Sequence, residues 1–120
     1  MSRHPKSEKI LTRYATGERN FRGLDLDDEF YDFSHVDLRG AVFTGSWIVA
    51  SFTRANLEDA DFSHCSVKTC DFSGARLASA TFFGSAIDAA VFDGADLTGT
   101  IFEKAGAFGY ILGKGELPPH

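Results

Sequence analysis

Residues 50–104 divide without a gap into ASFTR, ANLED, ADFSH, CSVKT, CDFSG, ARLAS, ATFFG, SAIDA, AVFDG, ADLTG and TIFEK. The third place of each group is a large apolar residue, and the first is Ala, Ser, Thr or Cys. The same grammar runs upstream as YDFSH, VDLRG, AVFTG and a shortened SWIV from Tyr31 to Val49. Beyond an insertion of Glu29 and Phe30 it continues in RNFRG and LDLDD at 19–28, which makes seventeen units. A helix needs large residues at a spacing of 3.6 and a half-buried strand at a spacing of two. A period of five fits neither, so each unit is one short side plus one corner of a coil.

The number of sides follows from a second rhythm. Large residues alternate between Phe in odd units and an aliphatic residue in even units, through both the insertion and the deletion. Within the even units, Leu38, Leu57, Leu77 and Leu97 alternate with Leu26, Ile48, Val67 and Ile87. Four units therefore make one turn of a square coil, and seventeen make a little over four turns. Stacking the turns puts Phe21, Phe43, Phe62, Phe82 and Phe102 in one inward column and Phe33, Phe52, Phe72 and Phe92 in the opposite one. Each such residue contributes about 1.5–3 kcal/mol on burial, which opposes the entropy of ordering the chain. Gly recurs at the fifth place, as at Gly40 and Gly94, where a corner needs positive φ.

The units ANLED, ADFSH and ADLTG carry the pattern A(D/N)LXX, and on these residues the chain resembles the pentapeptide repeat proteins over about residues 19–104. The resemblance implies an all-β, right-handed quadrilateral parallel β-helix, with the preceding ILTRYATGERNF as a short N-terminal capping helix and lead-in. Some family members resemble B-form DNA in width and charge and bind type II topoisomerases such as gyrase. On that alternative, acidic residues such as Asp25, Asp37, Asp61, Asp71 and Asp96 stand for phosphates. Asp at the second place otherwise serves to solvate the repeat face.

The chain falls into a leader and capping helix at 1–18, the repeat body at 19–104 and a C-terminal cap or tail at 105–120. After Pro5, Ile10, Leu11, Tyr14 and Ala15 fall on one helical face with Gly17 as a stop, so a helix over about 6–16 lids the first coil. The tail keeps apolar Phe108, Tyr110, Ile111 and Leu112 but loses the repeat. It either folds over the last coil or joins two molecules end to end, leaving a monomer or a homodimer through the C-terminus. No apolar run approaches the roughly 20 residues of a membrane span, and Met1–Lys9 carries no signal-peptide core, so the expected compartment is the cytoplasm. The body holds seven basic against fourteen acidic residues, which disfavours direct nucleic-acid binding.

Catalysis requires reactive residues that converge, and here they do not. His35 and His64 fall on opposite sides of the square, and His4 and His120 lie in the tails. Cys65 and Cys70 occupy inward first places and lack the spacing of a redox or zinc motif. No catalytic, cofactor or metal site is expected. The informative residues are large, apolar and directed outward by the pattern: Val42, Phe83 and Ile101 on one side, Trp47 and Val49 on the next. Neighbouring outward apolar residues that include a Trp suit a protein interface, unless the tail covers Phe83 and Ile101. The expected partner is another protein.

Overall fold

The computed structural model describes residues 3–120; Met1 and Ser2, which open the leader, lie outside the described residues. The chain winds as a parallel coil 37 Å long and 26 by 23 Å across. Its register is set by single parallel bridges twenty residues apart, such as Asn56 with Arg76, Asp61 with Thr81 and Ser66 with Ala86. Each bridge joins second-place residues four units apart, so each unit forms one side of a four-sided turn. Numbered in chain order, side one carries Asn20, Val42, Asp61, Thr81 and Ile101, and side two carries Asp25, Trp47, Ser66, Ala86 and Gly106.

All seventeen third-place residues are buried. Rings of one column stack with centroids 4.9–5.3 Å apart through the regular coils, close to the strand spacing of about 4.8 Å. Phe21 and Phe43 are 5.9 Å apart, where the register absorbs the insertion. Rings of opposite columns meet edge to face, as Phe62 does with Phe72 at 5.6 Å. The stacked and edge-on contacts together let each ring present its positive rim to a neighbour's face.

First-place residues line the corners of the core, and the polar ones share one role. Ser85 Oγ donates to Phe62 O at 2.5 Å, Thr100 Oγ1 to Leu77 O at 2.8 Å, Cys65 Sγ to Phe43 O at 3.0 Å and Cys70 Sγ to Ile48 O at 3.2 Å. Each thus returns a bond to the third-place carbonyl one coil above. Every fifth place except Asp28 has positive φ, including His35, Arg54, Thr69 and Ala89, so the corner is left-handed even where no glycine stands there.

The two breaks in the repeat face each other. Strand β1 (Asp25–Asp32) pairs in parallel with β2 (Trp47–Ser51), Leu26 with Ile48 and Tyr31 with Ala50. Four residues, Asp27–Phe30, therefore bulge opposite the single Val49. The insertion spreads over this bulge rather than over Glu29 and Phe30 alone. It puts Tyr31, 1% exposed, in an inward place where a small residue is the rule, with its hydroxyl donating to Asp28 at 2.5 Å. The shortened unit has no left-handed corner and runs straight as β2.

Helix α1 spans Pro5–Ala15, one residue earlier at each end than the 6–16 read from the sequence. The shift follows from the cap: His4 Nδ1 accepts the Lys6 N–H at 3.0 Å, and proline's fixed φ suits the first helical position. Ile10, 3% exposed, joins the core, and the Arg13 guanidinium lies 5.0 Å from the Phe21 ring while bonding Glu18 at 2.6 and 2.7 Å. At the other end the ladder runs to Gly106, two residues past the repeat. There β3 (Gly106–Ala107) turns back through Phe108 and Gly109, both at positive φ, into β4 (Tyr110–Ile111). Leu112 is buried and exchanges bonds with Lys104 and Ala105, while Phe108, Tyr110 and Ile111 are exposed.

Candidate functional site

Trp47 stands at the start of β2 with its N–H bonded to Leu24 O, and its side chain is 60% exposed. It projects because the residues stacked beyond it on side two are Ser66, Ala86 and Gly106, none large enough to cover an indole. A hollow of about 220 Å³ opens beside it, lined by Trp47, His64, Ser66, Lys68, Gly84 and Ala86. His64 comes from the corner between sides one and two. Its ring lies across Gly84, where an added Cβ would fall 2.8 Å from Nδ1, and meets the Phe83 ring edge to face at 5.7 Å. His64 and Phe83 thus pack together, and His64 faces Trp47 across the hollow, so the three rise along one edge as a ridge.

The other apolar candidates sit differently from their sequence reading. Val42, Val49 and Phe83 are half-buried rather than exposed, because stacking at about 4.8 Å covers the flanks of any second- or fourth-place side chain. Ile101 is 47% exposed but lies three rungs from Val42 on side one, so these two do not form a common patch. The tail reaches Ile101 only through Lys114 and Gly115, which share a hollow with it and leave it open. Phe30, 59% exposed at the tip of the bulge, went unread in the sequence; the signal was the broken frame, which releases a Phe from its inward place.

Acidic second-place residues are occupied by their own chain. Asp61 Oδ1 accepts the Ser63 N–H at 2.8 Å and hydroxyl at 2.5 Å, and Asp71 with Ser73 and Asp96 with Thr98 repeat the arrangement. Asp37 bonds the Arg39 guanidinium at 3.1 Å through both oxygens, and Glu58 pairs with Arg76 at 3.2 Å. Thr98 holds the Asp96 carboxyl below the usual range, and Arg39 does the same to Asp37. Around the bulge the leader meets the acidic residues: His4 Nε2 lies 2.8 Å from Glu29 and Lys6 Nζ 3.4 Å from Asp28. Asp25 moves the other way, raised by its neighbour Asp27.

Burial pushes the Cys65 thiol up to about 11 and that of Cys70 to about 12, so both stay protonated at neutral pH. Such thiols are poor nucleophiles and poor ligands. His35 and His64 occupy separate corners. Among the described residues no group of three His, Cys, Asp or Glu side chains gathers to hold a metal, and no helix is long and apolar enough to cross a membrane.

The square coil with its Phe columns and inward small residues defines a repeat solenoid. Residues 50–85 match the family model described as pentapeptide repeats, in eight copies. Residues 50–85 thus carry pentapeptide repeats, and the solved structures that the chain resembles are pentapeptide repeat proteins, which fold as right-handed quadrilateral β-helices. Among solved structures it is similar to a pentapeptide repeat protein of the Arabidopsis thaliana thylakoid lumen, at 26% identity and a TM-score of 0.50, covering 77% of this chain and 71% of that one. It is similar to QnrB1, a plasmid-mediated fluoroquinolone resistance protein, at 24% identity and a TM-score of 0.55, covering 70% and 56%. HetL, a pentapeptide repeat protein involved in heterocyst differentiation regulation in the cyanobacterium Nostoc, is 24% identical with a TM-score of 0.39 over 78% and 49%. The chain thus spans about half the length of HetL and QnrB1. No curated protein matches it by sequence.

Proposed function

We propose that this protein is a non-enzymatic cytoplasmic scaffold, a helix-capped coil of a little over four turns that binds another protein through the Trp47 ridge. The observation that carries the reading is the indole, 60% exposed on a rigid side beside an open hollow. Exposed aromatic anchors that are already ordered lose little entropy on binding, and Trp is enriched among the residues that dominate interface energy. Val42, Val49 and Phe83 support the ridge from half-buried positions, and Ile101 is a separate contact. The assembly state that goes with this reading is a monomer or an end-to-end pair through Phe108, Tyr110 and Ile111, which sedimentation velocity distinguishes.

Topoisomerase binding by DNA mimicry is less well supported, because several of the acidic residues, Asp37, Glu58, Asp61 and Asp71 among them, bond their own turns or guanidiniums. A pull-down with wild-type protein beside Trp47→Ala, washed at rising salt, tests both. The expected result is a partner lost on Trp47→Ala and only modestly weakened by salt. Identical captured proteins for the two forms would overturn the ridge, and a Trp47-independent topoisomerase released steeply by salt would establish mimicry.

A further inference from the structure

The hollow beside Trp47 does not end at Ala86. It adjoins a second hollow of about 290 Å³ through Lys68, Gly84 and Ala86, and this one continues to Lys104, Phe108 and Ile111. The two form one trough along side two, with Trp47 at one end and the tip of the β3–β4 hairpin at the other. Both end walls are exposed apolar side chains: Phe108 is 79% and Ile111 59% exposed. The trough crosses four rungs, from Trp47 through Ser66 and Ala86 to Gly106, a length of about 14 Å at about 4.8 Å per rung. An extended peptide rises about 3.3 Å per residue, so the trough accommodates about four residues.

Charge identifies what would lie in it. Lys68 and Lys104 both line the trough, and both are exposed. Among the described residues neither joins an ion pair, whereas Lys6, Arg13, Arg39 and Arg76 are all engaged with carboxylates. The one carboxylate in the trough, Asp88, has an oxygen committed to the Phe108 N–H at 2.8 Å, a bond that ties the hairpin to the wall. His64 lines the Trp47 end. A protein of net charge −5 therefore presents, at this place, two ammonium groups between apolar ends: Lys68, which shares the field of Asp88 without closing an ion pair with it, and Lys104.

Resting on the Trp47 reading above, we infer that the partner enters as an extended, carboxylate-bearing segment: an apolar side chain against Trp47, acidic side chains between Lys68 and Lys104, and a second apolar contact on Phe108 and Ile111. Acidic groups gain here what the rest of the surface denies them, so the trough also selects direction and sequence.

The test is selection of short random peptides displayed on phage against the full chain, followed by affinities of the selected peptides for wild type, Lys68→Glu/Lys104→Glu and Trp47→Ala. Both lysines are exposed and close no ion pair, so the double variant should keep the wild-type circular dichroism, and Lys68→Gln/Lys104→Gln, which places no new charge beside Asp88, checks that the loss follows charge rather than folding. The expected outcome is enrichment of Asp or Glu next to aromatic or aliphatic residues, with affinity falling on the order of tenfold or more in the charge-reversed variant and also in Trp47→Ala. Peptides that need Trp47 but carry no acidic bias and bind the reversed variant equally would overturn the acidic segment and leave the ridge standing. Peptides indifferent to Trp47 would overturn both. Trp47-dependent dimerisation in sedimentation, with no peptide selected, would assign the trough to a second copy of this chain and overturn the proposal.

Discussion

Thr69 occupies a corner with φ of 63°, a conformation that costs a residue with a Cβ about 1–2 kcal/mol, and it is β-branched as well. The solenoid imposes this because its corner geometry repeats at every turn, whichever residue stands there. Thr69→Gly removes the strain and adds back part of glycine's unfolded-chain entropy, so it should stabilise by about 0.5–1 kcal/mol, read as a raised urea midpoint. A lower midpoint would show that the Thr69 hydroxyl, bonded to Lys68 O at 2.5 Å, matters more than the backbone. The same reasoning explains why glycine marked only some corners in the sequence: it is the comfortable residue there, not the required one.

Among elements, the coil was legible and its interruptions were not. Alternation of Phe with aliphatic residues, together with the second alternation within the aliphatic units, points to four sides per turn from sequence alone, because a stack keeps like residues in contact at twenty-residue intervals. The bulge at Asp27–Phe30 followed a different logic: pairing Leu26 with Ile48 and Tyr31 with Ala50 decides which residues leave the core, and that pairing depends on the deletion one turn later. The Trp47 end of the trough could be read from the unit pattern, since Trp47 and Lys68 fall on one side. Its far end could not, because the Phe108–Gly109 turn lies outside the repeat. Helix α1 packs on the first coil: Ile10 enters the core while Tyr14 Oη donates to Arg39 O at 2.7 Å. Ile10→Ala should cost about 2–4 kcal/mol, measured by denaturant unfolding, whereas a loss under about 0.5 kcal/mol would mean that the helix rests on the first coil without sealing it.

For the whole molecule, pH acts from both sides. Asp32, Asp37 and Asp96 have carboxyls held down by Ser34, Arg39 and Thr98 respectively, so their contribution is complete above the unfolded value of about 4 and is lost as pH falls through the folded ones. Asp25, raised by Asp27, opposes this in part. The thiols at about 11 and about 12 give the alkaline arm: their contribution is complete below the unfolded value of about 8.5 and is lost as pH rises toward the folded values. Urea midpoints should therefore be flat from about pH 5 to 8 and fall on either side. The alkaline fall should shrink in Cys65→Ala/Cys70→Ala, the remainder belonging to the Tyr31 hydroxyl, which burial also pushes up, and a fall of undiminished size there would place the cause elsewhere.

One further consequence lies in the division of labour within each unit. The first and third places hold the core, and the second, fourth and fifth look outward from positions fixed by the twenty-residue register. Three letters in five can be rewritten while the frame stays put, each at a known height and on a known side. The coil is a ruled page, and the trough between Trp47 and Phe108 is one line written on it.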